Sequence, residues 1–176
     1  KKVAELDITC LLLKYDELTR QGRKTNKYAD EMDFLVTNDA RNKFIVNLAA
    51  DLKGNTLVLY QFVQKHGIPL YEDLNNKVDG SKDIWFVSGD TVVKDREKVR
   101  EIAGDTDNNI IVASFGTFST GINIPSIENI IFASPSKSKI RNLQSIGRGL
   151  RLKEGKESCN LYDVADDLSW KSWKNH

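Results

Sequence analysis

Residues that hold metals and disulfides are nearly missing from this sequence. Its 176 residues include two cysteines, Cys10 and Cys159, and two histidines, His66 and His176. Without C-x-x-C spacing or a histidine cluster there is no ligand set for zinc or an iron–sulfur centre, and no metal site is expected. Both cysteines read instead as small buried apolar residues of a reducing compartment. Long hydrophobic runs are absent as well. Nothing approaches the ~20 apolar residues of a membrane-spanning helix, and the N-terminus carries no signal-peptide pattern. A cytoplasmic protein with no membrane partner is the expectation. Neither sign of charge dominates: 26 Lys and Arg against 25 Asp and Glu leave a formal +1. Any nucleic-acid footprint must therefore be local.

A missing motif excludes more than any missing residue type. The chain has no G-x-x-x-x-G-K-[ST], hence no loop to cradle the β- and γ-phosphates of a nucleotide. Asp30-Glu-Met-Asp33 has the D-E-x-D form of a magnesium-binding acid pair, but such a pair must end an apolar strand. Residues 22–29 (GRKTNKYA) are polar, so the acidic run reads as part of a connector.

What is present fits one ordinary globular domain with some length left for an extension. With 40% apolar residues, a chain of this size buries well over half of its unfolded surface without staples. Residues 6–13 (LDITCLLL) read as a strand. Residues 14–33, dense in charge and in Gln, Gly, Thr and Asn, read as a connector, with a short helix near 28–36. Asn38 fits the N-cap of a helix running to about residue 53. There Phe44, Ile45, Leu48, Ala49 and Leu52 recur at helical spacing, and Gly54 stands where the stop belongs. Apolar strands follow at 56–60, 84–87, 110–113, 130–133 and 159–164. They alternate with helices at 68–76, 92–103 and 138–150. Continuous apolar strands alternating with helices predict an α/β fold: a three-layer α/β/α domain around a mainly parallel sheet. The tail after Asp166, with Trp170 and Trp173, reads as the start of an extension whose tryptophans pack on a neighbouring segment.

Two stretches carry chemistry. Residues 114–125 (SFGTFSTGINIP) follow the strand at 110–113, at the strand end where open α/β sheets place ligands. Its glycines permit close backbone approach, and Ser114, Thr117, Ser119 and Thr120 offer hydroxyls to phosphate oxygens. A flexible polar loop reads equally well there. On the helix at 138–150, Gln144, Arg148 and Arg151 fall within one narrow arc at about 100° per residue. Ile140, Leu143, Ile146 and Leu150 fill the neighbouring arc and face the sheet. Two guanidinium groups and an amide thus line up beside a buried face, and guanidinium is suited to phosphate because its planar fork donates two hydrogen bonds. A solvated basic helix end is the plainer alternative.

Taken together, these stretches resemble motifs V and VI of superfamily 2 helicases: Gly121-Ile-Asn-Ile-Pro125, a strand, then Q-x-x-G-R-x-x-R from Gln144 to Arg151. Leu57-Val-Leu-Tyr-Gln61 resembles motif IV. Phe86-Val-Ser-Gly-Asp90, followed by Arg96-Glu97, resembles motif IVa. The four come in the family's order over residues 39–164. Residues 113–152 look closest to a phage helicase that remodels branched DNA. Two departures stand out. Asn123 occupies a position where many relatives carry Asp, contacting the nucleotide ribose or the motif VI arginine. The DEAD-box form of motif V is not reproduced at residues 114–120.

The resemblance implies a C-terminal RecA-like lobe that supplies half of an ATP-driven motor. Residues 38–166 would be the lobe, 1–37 a strand and connector from a missing N-terminal lobe, and 167–176 the start of a truncated extension. ATP and Mg²⁺ would bind mainly to the N-terminal RecA-like lobe of the same protein. Arg148 and Arg151 would act on the γ-phosphate, with Gln144, Gly121 and Asn123 near the nucleotide. Gln61, Gly89, Ser114, Gly116, Thr117, Lys137 and Lys139 would meet the DNA backbone. The chain would be monomeric and inactive towards ATP alone, in the host cytoplasm if phage-encoded, with repair, recombination or replication as its setting. A double-stranded DNA translocase, a restriction-enzyme motor subunit and a non-catalytic nucleic-acid-binding module are the competing readings.

Overall fold

The computed structural model describes residues 5–88, 107–119, 127–135, 144, 146 and 158–168. Its strands are β1 (Glu5–Lys14), β2 (Thr56–Tyr60), β3 (Asp83–Val87), β4 (Asn109–Ser114), β5 (Asn129–Phe132) and β6 (Ser158–Asp167). They form one sheet in the order β1-β6-β5-β2-β4-β3, and every pairing is parallel. All residues of β2 and β5 are buried, as are those of β4 up to Ala113. That explains their unbroken apolar runs: both faces are covered, so no side of the strand is left for polar residues.

Successive side chains of β2 feed two cores. Leu57 and Leu59 enter a cluster with Ile111, Ile130, Phe132, Leu161, Phe118 and Ile146 on one face. Val58 and Tyr60 enter a second with Ile45, Ala49, Leu70, Leu74, Ile110 and Val164 on the other. The second face is covered by α3 (Asp39–Asp51) and α4 (Ile68–Val78). Asn38 caps α3 as expected, its side chain accepting from Arg41 N at 2.9 Å. A π-helical turn, Val63–Gly67, leads into α4, which carries a proline in its first turn. α4 stops at Asp79, left-handed with φ 44°, ahead of Gly80.

Several expectations need correction. The segment 1–37, expected as a strand and connector from a missing lobe with a short helix near 28–36, has that strand and helix and packs onto this sheet. β1 pairs with β6 over ten residues, and Met32, Leu35 and Val36 of α2 (Tyr28–Thr37) are buried. An apolar strand leaves a row of backbone donors and acceptors that must find a partner, and β6 supplies it. The supposed connector also holds a further helix, α1 (Glu17–Gly22), capped by Asp16. Cys159 is buried as expected, but Cys10 is exposed. β1 is the sheet edge, and Ile8 and Leu12 on the same strand are exposed with it. Residues 114–119 are not a flexible loop: a short helix, α5 (Phe115–Ser119), starts directly at the end of β4. The helix expected at 92–103 and the tail beyond 168 lie outside the described residues.

Candidate functional site

Because all six strands are parallel, their carboxyl ends share one edge of the sheet. Gln61 follows β2, Ser88 follows β3, Ser114 ends β4 and Ser134 follows β5. β2 and β5 are neighbours whose onward connections run to opposite sides, to β3 and to β6. Such a divergence opens the crevice in which α/β sheets hold ligands.

The floor of that crevice is a buried hydrogen-bond relay. Gln61 N donates to Ser134 Oγ at 3.2 Å. His66 Nδ1 lies 2.7 Å from Ser134 Oγ, and His66 Nε2 lies 2.9 Å from Asn42 Oδ1. Asn42 Nδ2 donates to Val36 O at 2.9 Å. The last bond fixes every other role. Asn42 Oδ1 must accept, so Nε2 carries the imidazole proton. Nδ1 then accepts from the Ser134 hydroxyl, whose oxygen accepts the Gln61 amide. Burial, aided by the nearby Arg41 charge, pushes the His66 pKa down to about 3, so the ring is neutral.

Beside the relay, Arg41 is bound to β6 and to the residue that follows β5. Its Nε donates to both Asp166 oxygens at 2.9 and 3.1 Å. The two remaining nitrogens reach Ala133 O and Val164 O. Tyr15 donates its hydroxyl to Asp166 Oδ1 at 2.6 Å. Burial first, then the Asp166 charge, raises the Tyr15 pKa well above the ordinary phenol value.

Sequence reasoning missed this polar floor, although a signal was there. The buried positions of α3 are Arg41, Asn42, Ile45, Val46 and Ala49. Arg41 and Asn42 simply continue the apolar stripe towards the N-terminus, and polar residues on such a stripe mark a buried network.

Among the expected site residues, Gln61 is exposed at the crevice. Ser114 Oγ accepts from Thr117 N at 3.1 Å and shares a 2.6 Å hydrogen bond with Thr117 Oγ1. Thr117 is itself buried, so Ser114 caps α5 and the Thr117 hydroxyl is taken up by that cap. Gly116, in contrast, is exposed, and a Cβ there would meet nothing within 4 Å. Gln144 and Ile146 are both helical; Gln144 is exposed while Ile146 is buried in the cluster with Leu57 and Phe132. This is the division of faces expected for that helix. Gly89, Gly121, Asn123, Lys137, Lys139, Arg148 and Arg151 lie outside the described residues. Among the described residues no group of three or more His, Cys, Asp or Glu could hold a metal ion, and no helix is long and apolar enough to cross a membrane.

Comparison with known proteins agrees with this architecture. The family model of the helicase conserved C-terminal domain matches residues 26–153. The ATP-dependent DNA helicase UvsW of Enterobacteria phage T4 is 33% identical over 173 residues, 97% of this chain and 34% of that protein. The crystal structure of T4 UvsW superposes with a TM-score of 0.81 at 31% identity, covering 95% of this chain and 34% of that one. The putative ATP-dependent helicase IRC3 of Saccharomyces cerevisiae is 31% identical over 78 residues, 44% of this chain and 11% of that protein. The E. coli DEAD-box protein SrmB shares the fold, with a TM-score of 0.54 at 15% identity over 94% of this chain and 79% of that one. The chain spans about a third of the length of UvsW.

Proposed function

The chain belongs to the helicase conserved C-terminal domain family, and we propose that it is the C-terminal motor lobe of an ATP-dependent DNA helicase that unwinds or remodels branched DNA. The reading rests above all on its likeness to UvsW over 97% of its length. The fold is RecA-like, and its carboxyl edge offers polar groups on rigid supports.

Two kinds of work divide along that edge. The helix bearing Gln144 is anchored by buried Ile146, which leaves the Gln144 amide exposed for a nucleotide. Arg148 and Arg151 lie four and seven residues further on, so on a continuing helix they share its arc. ATP with Mg²⁺ supplies the phosphoryl group and its counter-charge, held mainly by an N-terminal RecA-like lobe. From this chain, Arg148 and Arg151 neutralise charge developing on the γ-phosphate once the lobes close. Gly121 and Asn123 border the nucleotide. The other end of the edge, with Gln61, Gly89, Ser114 and Gly116, follows the DNA backbone, buried Thr117 supports Ser114 through their 2.6 Å hydrogen bond, and Lys137 and Lys139 add positive charge. Such contacts position DNA without reading its sequence.

The test is strand displacement by the full-length protein on a forked duplex with ATP. Displacement that stops without ATP supports the proposal. Robust DNA-stimulated hydrolysis with no displacement and no branch movement points to a translocase and rejects branched-DNA remodelling.

A further inference from the structure

Among the described residues four large apolar side chains are exposed: Ile8, Leu12, Leu18 and Phe62. The first two lie on edge strand β1 and Leu18 on α1. Phe62, 37% exposed, is the one aromatic ring in this group, and it stands on the carboxyl edge next to Gln61.

Its backbone is held from both sides. The amide of the preceding Gln61 donates to Ser134 Oγ at 3.2 Å. The carbonyl of Phe62 accepts from His66 N at 3.1 Å and Gly67 N at 2.9 Å, which opens the π-helical turn. His66 in turn fixes Ser134 through Nδ1 at 2.7 Å. Gly67 has no Cβ because the ring of Tyr60 fills the space one would need. π-helical turns of this sort concentrate at functional sites.

The relay beneath Phe62 consists of an amide, a hydroxyl and a neutral imidazole. Across the turn, the Asp33 carboxylate lies 2.6 Å from Lys65 Nζ. An exposed phenyl ring on a fixed backbone has little freedom left to lose on binding. Its π-face matches any unpaired base, whatever the sequence.

We propose that Phe62 is a base-stacking contact for single-stranded nucleic acid, presented by a turn that His66 and Ser134 hold in one conformation. The proposal rests on the reading of the carboxyl edge as the nucleic-acid path and adds a base contact to its phosphate contacts. His66 and Ser134 are positioning residues.

The experiment compares two probes with this chain at low salt, by fluorescence anisotropy: an oligothymidylate and an abasic oligomer with the same number of phosphates. Phe62→Ala should weaken binding of the oligothymidylate roughly 5- to 100-fold, as expected for one lost stack, and leave the abasic oligomer unchanged. Phe62→Trp should keep or tighten oligothymidylate binding. Ser134→Ala should weaken it severalfold with the far-ultraviolet circular dichroism spectrum intact. Equal losses on both probes, or no loss for Phe62→Ala, overturn the stack while leaving the phosphate contacts in place. Unaltered binding by Ser134→Ala overturns the positioning role. A parent chain that binds neither probe rejects the nucleic-acid path itself, and the stack with it.

Discussion

Arg41 and Asp166 form a two-bond ion pair in the interior: Nε lies 2.9 Å from Oδ1 and 3.1 Å from Oδ2, with side chains 1% and 0% exposed. The pair ties α3 to the carboxyl end of β6, and the same guanidinium reaches the carbonyls of Ala133 and Val164. One side chain therefore holds the edge of the sheet from which the proposed contacts project.

Breaking that pair from one side strands a buried charge. Asp166→Ala should cost about 3–5 kcal/mol in denaturant unfolding of this chain. A double variant, Arg41→Met with Asp166→Leu, should recover most of that loss, because neither charge of the pair then remains buried. A single variant as stable as the parent would mean that the pair is not what compensates the Arg41 charge.

His66 sets an acid limit. Its folded pKa of about 3 lies below the ordinary 6.5. The folded state favours the neutral ring, while the unfolded chain takes up the proton. Stability from this group is complete above pH 6.5 and falls as the pH drops towards 3, by up to about 1.4 kcal/mol per pH unit. His66→Gln should be less stable at neutral pH but lose less stability on acidification. A parallel pH profile for parent and variant would exclude His66 as the titrating group.

Arg151→Ala in the full-length protein should lower ATP turnover by orders of magnitude, by analogy with arginine fingers worth roughly 10³–10⁵ in rate. Arg151→Lys should restore little, since an ammonium lacks the planar two-donor fork. DNA affinity without nucleotide should hardly change. Full turnover with lost DNA binding would instead place Arg151 on the nucleic-acid side.

Apolar patterning made the sheet legible. The runs at 56–60 and 130–133 are continuous because those strands lie between two helical layers, and Asn38 announced α3 by its capping chemistry. α5 was hidden because Ser114 and Thr117 resemble a polar loop until their hydroxyls bond to each other. The segment 14–33 hid α1 for a similar reason: its charges solvate an exposed helix as readily as a connector.

Motif order and local periodicity, properties of the chain itself, established the fold class and the helicase family. Pairings between distant residues were decided by the tertiary structure alone. Nothing local joins β1 to β6, Arg41 to Asp166 125 positions away, or His66 to Ser134 68 positions away. Their cause is desolvation: once the sheet closes, each buried polar group must find its partner inside the protein. That requirement, more than any motif, fixes the turn that presents Gln61 and Phe62 at the edge of the sheet.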